Sequence, residues 1–240
     1  VALWLLMGTV LGTIVHGMAA RRVRSVVWHG PHYLDISKLR ATLEWTVVGR
    51  PMVAVSVREI AESLRRNPVV RHVVVRKQWP DTIHVFIVER KPFAVLQDAT
   101  GVKFVDAEGV PFLWFQGDLN DPTWRPLIVY NGVGRPDARF FPVRALVEVL
   151  RRDHGWLLDH ALWLRWGPGM ALELGQPRTR ILLTDECGTD VDRCRQWYRR
   201  RLQELRAQWD QVLAQVLREP KEIDLRFDGY IYLRPLRDGA

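Results

Sequence analysis

The chain has 240 residues, 48% of them hydrophobic, which is enough for a real core and for two small domains. Its formal net charge is +8 and its isoelectric point is near 10.0, which admits a nucleic acid, an anionic membrane surface or a merely solvated basic surface. The basic residues are dispersed and no nucleic-acid motif occurs, so the last two are favoured, and the eleven scattered Trp follow no blade or solenoid period.

Residues 1–20, "VALWLLMGTVLGTIVHGMAA", carry no formal charge. At a helical rise of about 1.5 Å they reach across about 30 Å of hydrocarbon. A signal-peptide core ending in "GMAA" competes with a signal-anchor helix; the length of the apolar run favours the anchor. His16 inside it reads as a tolerated interfacial residue. Arg21, Arg22 and Arg24 follow at once, a positive bias that by itself would keep the next domain inside, although long domains translocate largely regardless of charge.

"VRSVVWHG" predicts a short strand ending at Gly30. "DISKLRATL" predicts a helix with Asp35 as N-cap and Ile36, Leu39 and Leu43 on one face. "SVREIAESLRRN" predicts a second helix, with a Ser56/Glu59 capping box, a stripe of Val57, Ile60, Ala61 and Leu64, and a stop at Asn67-Pro68. "VVRHVVVRK" and "TIHVFIVER" predict two strands about the turn Gln78-Trp79-Pro80-Asp81. The order strand, helix, helix, strand, strand implies one sheet with both helices on one face. Beyond Phe93, "GVKFVDAEGVPFLW" predicts a hairpin turning at 106–109, and "VRALVEVLRRD" an amphipathic helix. "HALWLRWG", "MALELG" and "TRILLTD" predict three antiparallel strands, the first two split by Gly167-Pro168-Gly169. Val191, Cys194, Tyr198, Leu202, Leu205, Trp209, Val212 and Val216 mark one long helix from Asp190 to Leu217, its stripe buried in the core rather than offered to a coiled-coil partner. "EIDLRFDGYIYLRP" reads as one final strand before a polar tail. The chain is therefore expected to be α+β.

Chemistry-bearing groups are sparse. Asp153-His154 and Asp159-His160 lack a nucleophile context and read as solvated pairs. "DECGTDVD" lacks the spacing of a calcium loop, and its acids suit a helix N-terminus. Gly167-Pro168-Gly169 is a turn rather than a phosphate loop, and His29, His32, His72 and His84 lack metal-ligand spacing. Cys187 and Cys194 have no nearby His, which disfavours a metal site; a local disulfide and two unpaired thiols both remain open. No catalytic residue, cofactor or metal is expected.

"RKQWPDTIHVFIVERKPFAVL" resembles the signature R-x-x-W-P-x-T-[LI]-x-V-x-[IV]-x-E-R-x-P-x-A of the bacterial cell-division family FtsQ/DivIB, through Arg76, Trp79, Pro80, Thr82, Ile83, Val85, Ile87, Glu89, Arg90, Pro92 and Ala94. "VVWHG", "VREIAESLRRNPVV", "FVDAEGVPF", "WRPLI" and "EIDLRFDGYIYLRP" are similar to further family patterns and occur in the family's order. The resemblance implies a transmembrane anchor at 1–20, a POTRA domain (β-α-α-β-β) at 21–92, a mostly antiparallel β domain with flanking helices at 93–236, and a tail at 237–240. It implies a non-enzymatic scaffold of septal wall synthesis in the cytoplasmic (inner) membrane, single-pass, with its C-terminal domain extracytoplasmic. The implied partners are FtsB/DivIC-like and FtsL-like bitopic division proteins and the septal wall synthase complex, with no nucleic acid and no small-molecule substrate. Arg76, Trp79, Pro80, Glu89, Arg90 and Pro92 are its structural signature, with Trp79-Pro80 setting the turn and Glu89 and Arg90 fixing the junction between the domains.

Partner binding is expected on a terminal edge strand made of Arg226, Phe227, Gly229, Tyr230, Ile231, Tyr232, Leu233 and Arg234. Tyr230 and Tyr232 are expected on one face, Phe227, Ile231 and Leu233 on the other, and Gly229 at a bend. Arg226, together with Arg178, is expected to pair with one acidic partner residue. Two departures stand out: the segment 176–222 is long, and Gln176 stands where some members carry a partner-contacting Arg, with Arg178 and Arg180 close by. A POTRA-bearing secretion or outer-membrane assembly factor is the alternative, but it requires a separate β-barrel for which this chain has no room.

Overall fold

The computed structural model describes residues 21–30, 37–119, 121–132, 140–167, 169–184, 187–188 and 190–236. The apolar run 1–20, the expected cap Asp35 with Ile36, the turn residue Pro168 and the tail 237–240 lie outside them. No helix among the described residues is long and apolar enough to cross a membrane. The chain divides into two compact units at Arg90/Lys91.

The first unit contains β1 (Ser25–His29), α1 (Ser37–Val47), α2 (Val57–Arg65), β2 (Val70–Gln78) and β3 (Thr82–Glu89). The sheet order is β1-β3-β2, with β1 parallel and β2 antiparallel to β3. Along β3, Ile83, Val85 and Ile87 are buried, while Phe86 and Val88 are exposed on the opposite face, as the two-residue period of a strand requires. The buried set packs on Leu43 and Val47 of α1 and on Ile60, Ala61 and Leu64 of α2. At α2 the Ser56 hydroxyl accepts the Glu59 N–H at 3.2 Å, which satisfies one of the helix's orphan donors. The helix ends where Asn67 Oδ1 turns back to accept the Val69 N–H.

The second unit carries a nine-stranded sheet built from β4 (Ala94–Asp98), β5 (Gly101–Val105), β6 (Pro111–Trp114), β7 (Leu127–Tyr130), β8 (Ala161–Gly167), β9 (Gly169–Leu174), β10 (Thr179–Leu183), β11 (Lys221–Asp224) and β12 (Tyr232–Pro235). Their order is β12-β11-β10-β9-β8-β7-β4-β5-β6. It is mixed: β4/β7, β7/β8 and β10/β11 are parallel and the other five pairs antiparallel. Strands β4 and β7 have no counterpart in the sequence reading. Ala94, Val95, Leu96, Leu127 and Ile128 are buried in continuous runs, so the alternation that betrays a half-exposed strand is missing. α3 (Phe140–Asp153) buries Val143, Leu146, Val147 and Leu150 at helical spacing, and the single turn α4 (Gly155–Leu158) follows it.

The expected long helix is two helices, α5 (Val191–Ala207) and α6 (Trp209–Val216), interrupted at Gln208, whose backbone (φ −108°, ψ 6°) leaves the helical basin. The apolar stripe does not register the break. From Cys194 to Val216 it is buried in one core, and Trp209, first residue of α6, packs edge-on against Trp156 at 4.9 Å. The two cysteines form a disulfide across 5.1 Å between Cα atoms, tying the segment before α5 to its first turn, where Asp190 caps the helix by accepting from the N–H groups of Asp192 and Arg193.

Candidate partner-binding site

The expected single closing strand is a hairpin. β11 and β12 pair antiparallel over four positions, from Lys221↔Pro235 to Asp224↔Tyr232, and residues 225–231 loop between them. Two internal clamps form this loop. Asp224 is fully buried and accepts hydrogen bonds from the Arg226 N–H (3.1 Å), Arg226 Nε (2.9 Å) and Nη2 (2.7 Å), and Arg234 Nη2 (2.7 Å). Burial works against its ionisation, but the hydrogen bonds and charge of Arg226, with the charge of Arg234, outweigh it and hold the carboxyl below its ordinary value. The same pair raises the Arg226 guanidinium. Arg201 of α5, itself fully buried, donates to the Leu225 carbonyl (2.9 Å) and the Tyr230 carbonyl (2.6 Å), so one side chain pins both ends of the loop, and it also pairs with Glu204. Burial disfavours its charged form. On the outside Arg200 reaches Asp228 at 2.7 Å.

These clamps present one face outward. Phe227, Tyr230 and Tyr232 are all exposed; Phe227 meets Tyr232 edge-on at 5.6 Å, and Tyr230 stacks on Tyr232 at 6.0 Å. Ile231 and Leu233 turn inward onto the core. Phe227 therefore belongs with the tyrosines rather than with Ile231 and Leu233, because the loop reverses at Gly229, whose φ of +76° suits glycine. β12 is the edge of the sheet: β11 lies on one side and no described strand on the other. Arg226 is bound to Asp224 within the chain, which corrects the expectation that it waits for a partner's acid. Arg178 precedes Thr179, which pairs with Lys221, whereas Arg226 follows Asp224, so the two arginines flank opposite ends of β11 and cannot share one carboxylate. Arg180 pairs with Glu173 at 3.2 Å, and Gln176 is exposed in the β9–β10 turn. The sequence missed Arg201 and Asp224. Arg201 lies three residues after Tyr198 and beside Leu202, a charge on the buried stripe, and that was its one available signal.

Among the signature residues, the Arg76 guanidinium lies 5.8 Å over the Phe86 ring. Trp79 and Pro80 form the exposed β2–β3 turn. Glu89 is buried at the end of β3. Arg90 donates from its N–H to the Val69 carbonyl (2.9 Å) and from Nε to the Pro68 carbonyl (3.1 Å), so these bonds fasten the α2–β2 loop inside the first unit. Pro92 is exposed just beyond the boundary.

Elsewhere the titratable groups are absorbed structurally. Asp153 pairs with Arg199 at 2.9 Å, while His154 is buried, its pKa lowered by that burial, and accepts from Trp156 Nε1. In the groove between α3 and α5, Arg195 and Arg199 are neutralised by Glu148, Asp192 and Asp153. The sheet brings His29 and His84 within 2.9 Å, stacked with Phe86, a pairing that their distant positions concealed. Among the described residues no group of three His, Cys, Asp or Glu side chains could hold a metal.

Residues 21–90 match the family model of the POTRA domain, FtsQ-type. The chain is 29% identical over 137 residues to the cell division protein FtsQ of Streptomyces bingchenggensis, covering 57% of this chain and 50% of the relative. It is 31% identical over 148 residues to that of Streptomyces coelicolor, covering 61% and 56%. It is 39% identical over 66 residues to that of Aliivibrio fischeri, covering 28% and 25%. The aligned regions thus span about half the length of the two Streptomyces relatives and a quarter of the third. Residues 21–90 thus form a POTRA domain of the FtsQ type, followed by a large β sheet, and the chain is similar over about half their length to cell division proteins named FtsQ.

Proposed function

We propose that the chain is a non-enzymatic, single-pass scaffold of the bacterial division machinery in the cytoplasmic membrane, anchored by residues 1–20 with both units outside the cytoplasm. The β11–β12 hairpin receives a small bitopic partner of the FtsB/DivIC or FtsL kind, and through it the septal wall synthase complex. The observation that carries this reading is the hairpin itself: an edge strand with no described strand on its outer side, flanked by exposed Phe227, Tyr230 and Tyr232 and by Arg234. An open edge supplies backbone donors and acceptors for strand addition, and rigid aromatic groups beside arginine are the usual anchors of a protein interface. β12 is only four residues long and ends in Pro235, so the added strand pairs briefly and the rings supply much of the affinity. The Cys187–Cys194 disulfide supports the location, since such bonds persist in oxidising compartments.

The test uses the full chain in nanodiscs with a DivIC-like partner from the same organism. Tyr230→Ala combined with Tyr232→Ala is expected to weaken binding more than about tenfold while leaving the melting temperature unchanged, because both rings are exposed. Full affinity in that variant rejects the site. Location is checked separately by a thiol reagent on Gln116→Cys in intact cells; labelling that needs a permeabilised inner membrane rejects the topology.

A further inference from the structure

We propose that the end of the first unit formed by residues 21–24, 48–53 and 79–81 is seated on anionic phospholipid headgroups, an inference that rests on the reading of residues 1–20 as the anchor. The chain has no slack after that run. Arg21 accepts the Met52 N–H on its carbonyl at 2.7 Å, the Val23 N–H donates to Arg50 at 2.9 Å, and the Gly49 N–H donates back to Val23 at 2.8 Å. The Arg22 side chain closes on the Gly49 carbonyl at 2.7 Å. The Arg24 N–H, next along, donates to the Asp81 backbone carbonyl at 2.8 Å and so brings in the β2–β3 turn. Adjacent Cα atoms are about 3.8 Å apart, so a run that ends at Ala20 delivers the 48–53 loop to the headgroup layer directly.

The chemistry of this end matches that layer. Val48 and Val53 are 45% and 54% exposed, Trp45 one turn back on α1 is 92% exposed, and Trp79 across the turn is 43% exposed. A single exposed apolar residue needs no explanation, but tryptophans with valines beside arginines form the composition that settles at a membrane interface. The three segments hold Arg21, Arg22, Arg24 and Arg50 against one carboxylate, Asp81, which Arg24 approaches at 3.7 Å. Juxtamembrane arginines are drawn to anionic leaflets within a Debye length of the surface. The exposed Val88 supplies an internal contrast. It lies six residues up β3 from Thr82, roughly 20 Å away at about 3.3 Å per residue.

The experiment places an environment-sensitive fluorophore on Val53→Cys, and in a second protein on Val88→Cys, in the full chain; the native cysteines are tied up in their disulfide. Each is reconstituted in phosphatidylcholine nanodiscs with one-third phosphatidylglycerol and a headgroup nitroxide quencher. Strong quenching and a blue shift at Val53, with little at Val88, are expected. Omitting phosphatidylglycerol, or combining Arg21→Gln with Arg50→Gln, is expected to lower the docked-to-undocked ratio by roughly fivefold for each arginine no longer held by an anionic headgroup. Equal, weak quenching at both positions in a chain that resists carbonate extraction overturns the seat and leaves the anchor standing. Extraction by carbonate overturns the anchor and the seat together. Quenching at Val53 indifferent to both lipid charge and the two arginines overturns the headgroup assignment.

Discussion

The β2–β3 hairpin of the first unit and the β11–β12 hairpin of the second are both antiparallel pairs, held by different forces. β2 and β3 run nine and eight residues, stay in register from Gln78↔Thr82 back to His72↔Val88, and turn through three residues. Their stability comes from apolar burial on one face, with Ile83 and Val85 wholly inaccessible. β11 and β12 have four residues each around a seven-residue loop, and charge organises that loop: Asp224 gathers Arg226 and Arg234, and Arg201 binds two loop carbonyls. A long hairpin with a buried face carries its own register, whereas a short one needs groups from elsewhere in the fold. This arrangement also leaves the short hairpin's aromatic groups exposed.

The contrast can be broken from either side. Ile83→Ala removes a fully buried side chain from β3 and should cost about 4 kcal/mol, lowering the melting of the whole first unit while hydrogen exchange in β11 and β12 is unchanged. Arg201→Met keeps the bulk but deprives the Leu225 and Tyr230 carbonyls of their donor; about 3 kcal/mol is expected, seen as faster exchange in the β11–β12 hairpin, with β2 and β3 unaffected. If exchange rises equally in both hairpins, the clamp is not local.

A smaller effect concerns pH. The folded Asp224 carboxyl lies below its ordinary value, and the unfolded group titrates near about 3.9. Its contribution is therefore present above about pH 4 and lost as pH falls through the lower folded value. Asp224→Asn should cost about 1–2 kcal/mol at pH 7, because the arginines it leaves are half exposed and can hydrate. The gap between the wild-type and variant melting curves should close on acidification from pH 5 to pH 2; a gap that widens excludes the ion pair as its source. The smallest loss is expected for Arg90→Ala, about 1 kcal/mol for one side-chain hydrogen bond to Pro68, with partner affinity of the folded protein unchanged.

The sequence alone determined the elements whose signals are local. The Ser56 cap, the alternation Ile83, Val85, Ile87, the turn at 79–81 and the 3–4 spacing through α3 and α5 each lie within a few residues, and each of these signals marked a real element, although α3 starts three residues earlier than expected and the expected long helix breaks at Gln208. Together with the ordered motifs they made the first unit and its FtsQ-type character legible. Tertiary structure alone decided the rest. β4 and β7 are buried too uniformly to alternate, and the break at Gln208 leaves the apolar stripe intact. "EIDLRFDGYIYLRP" has the composition of one continuous strand, and becomes two because Arg201, some thirty positions before Tyr230, supplies the donors that close the loop. The pairing of Cys187 with Cys194 likewise waited on α5 bringing its first turn back toward the preceding segment. Periodicity reports which face of a segment is buried, whereas the partner of a buried charge lies far along the chain and is chosen only when the fold closes.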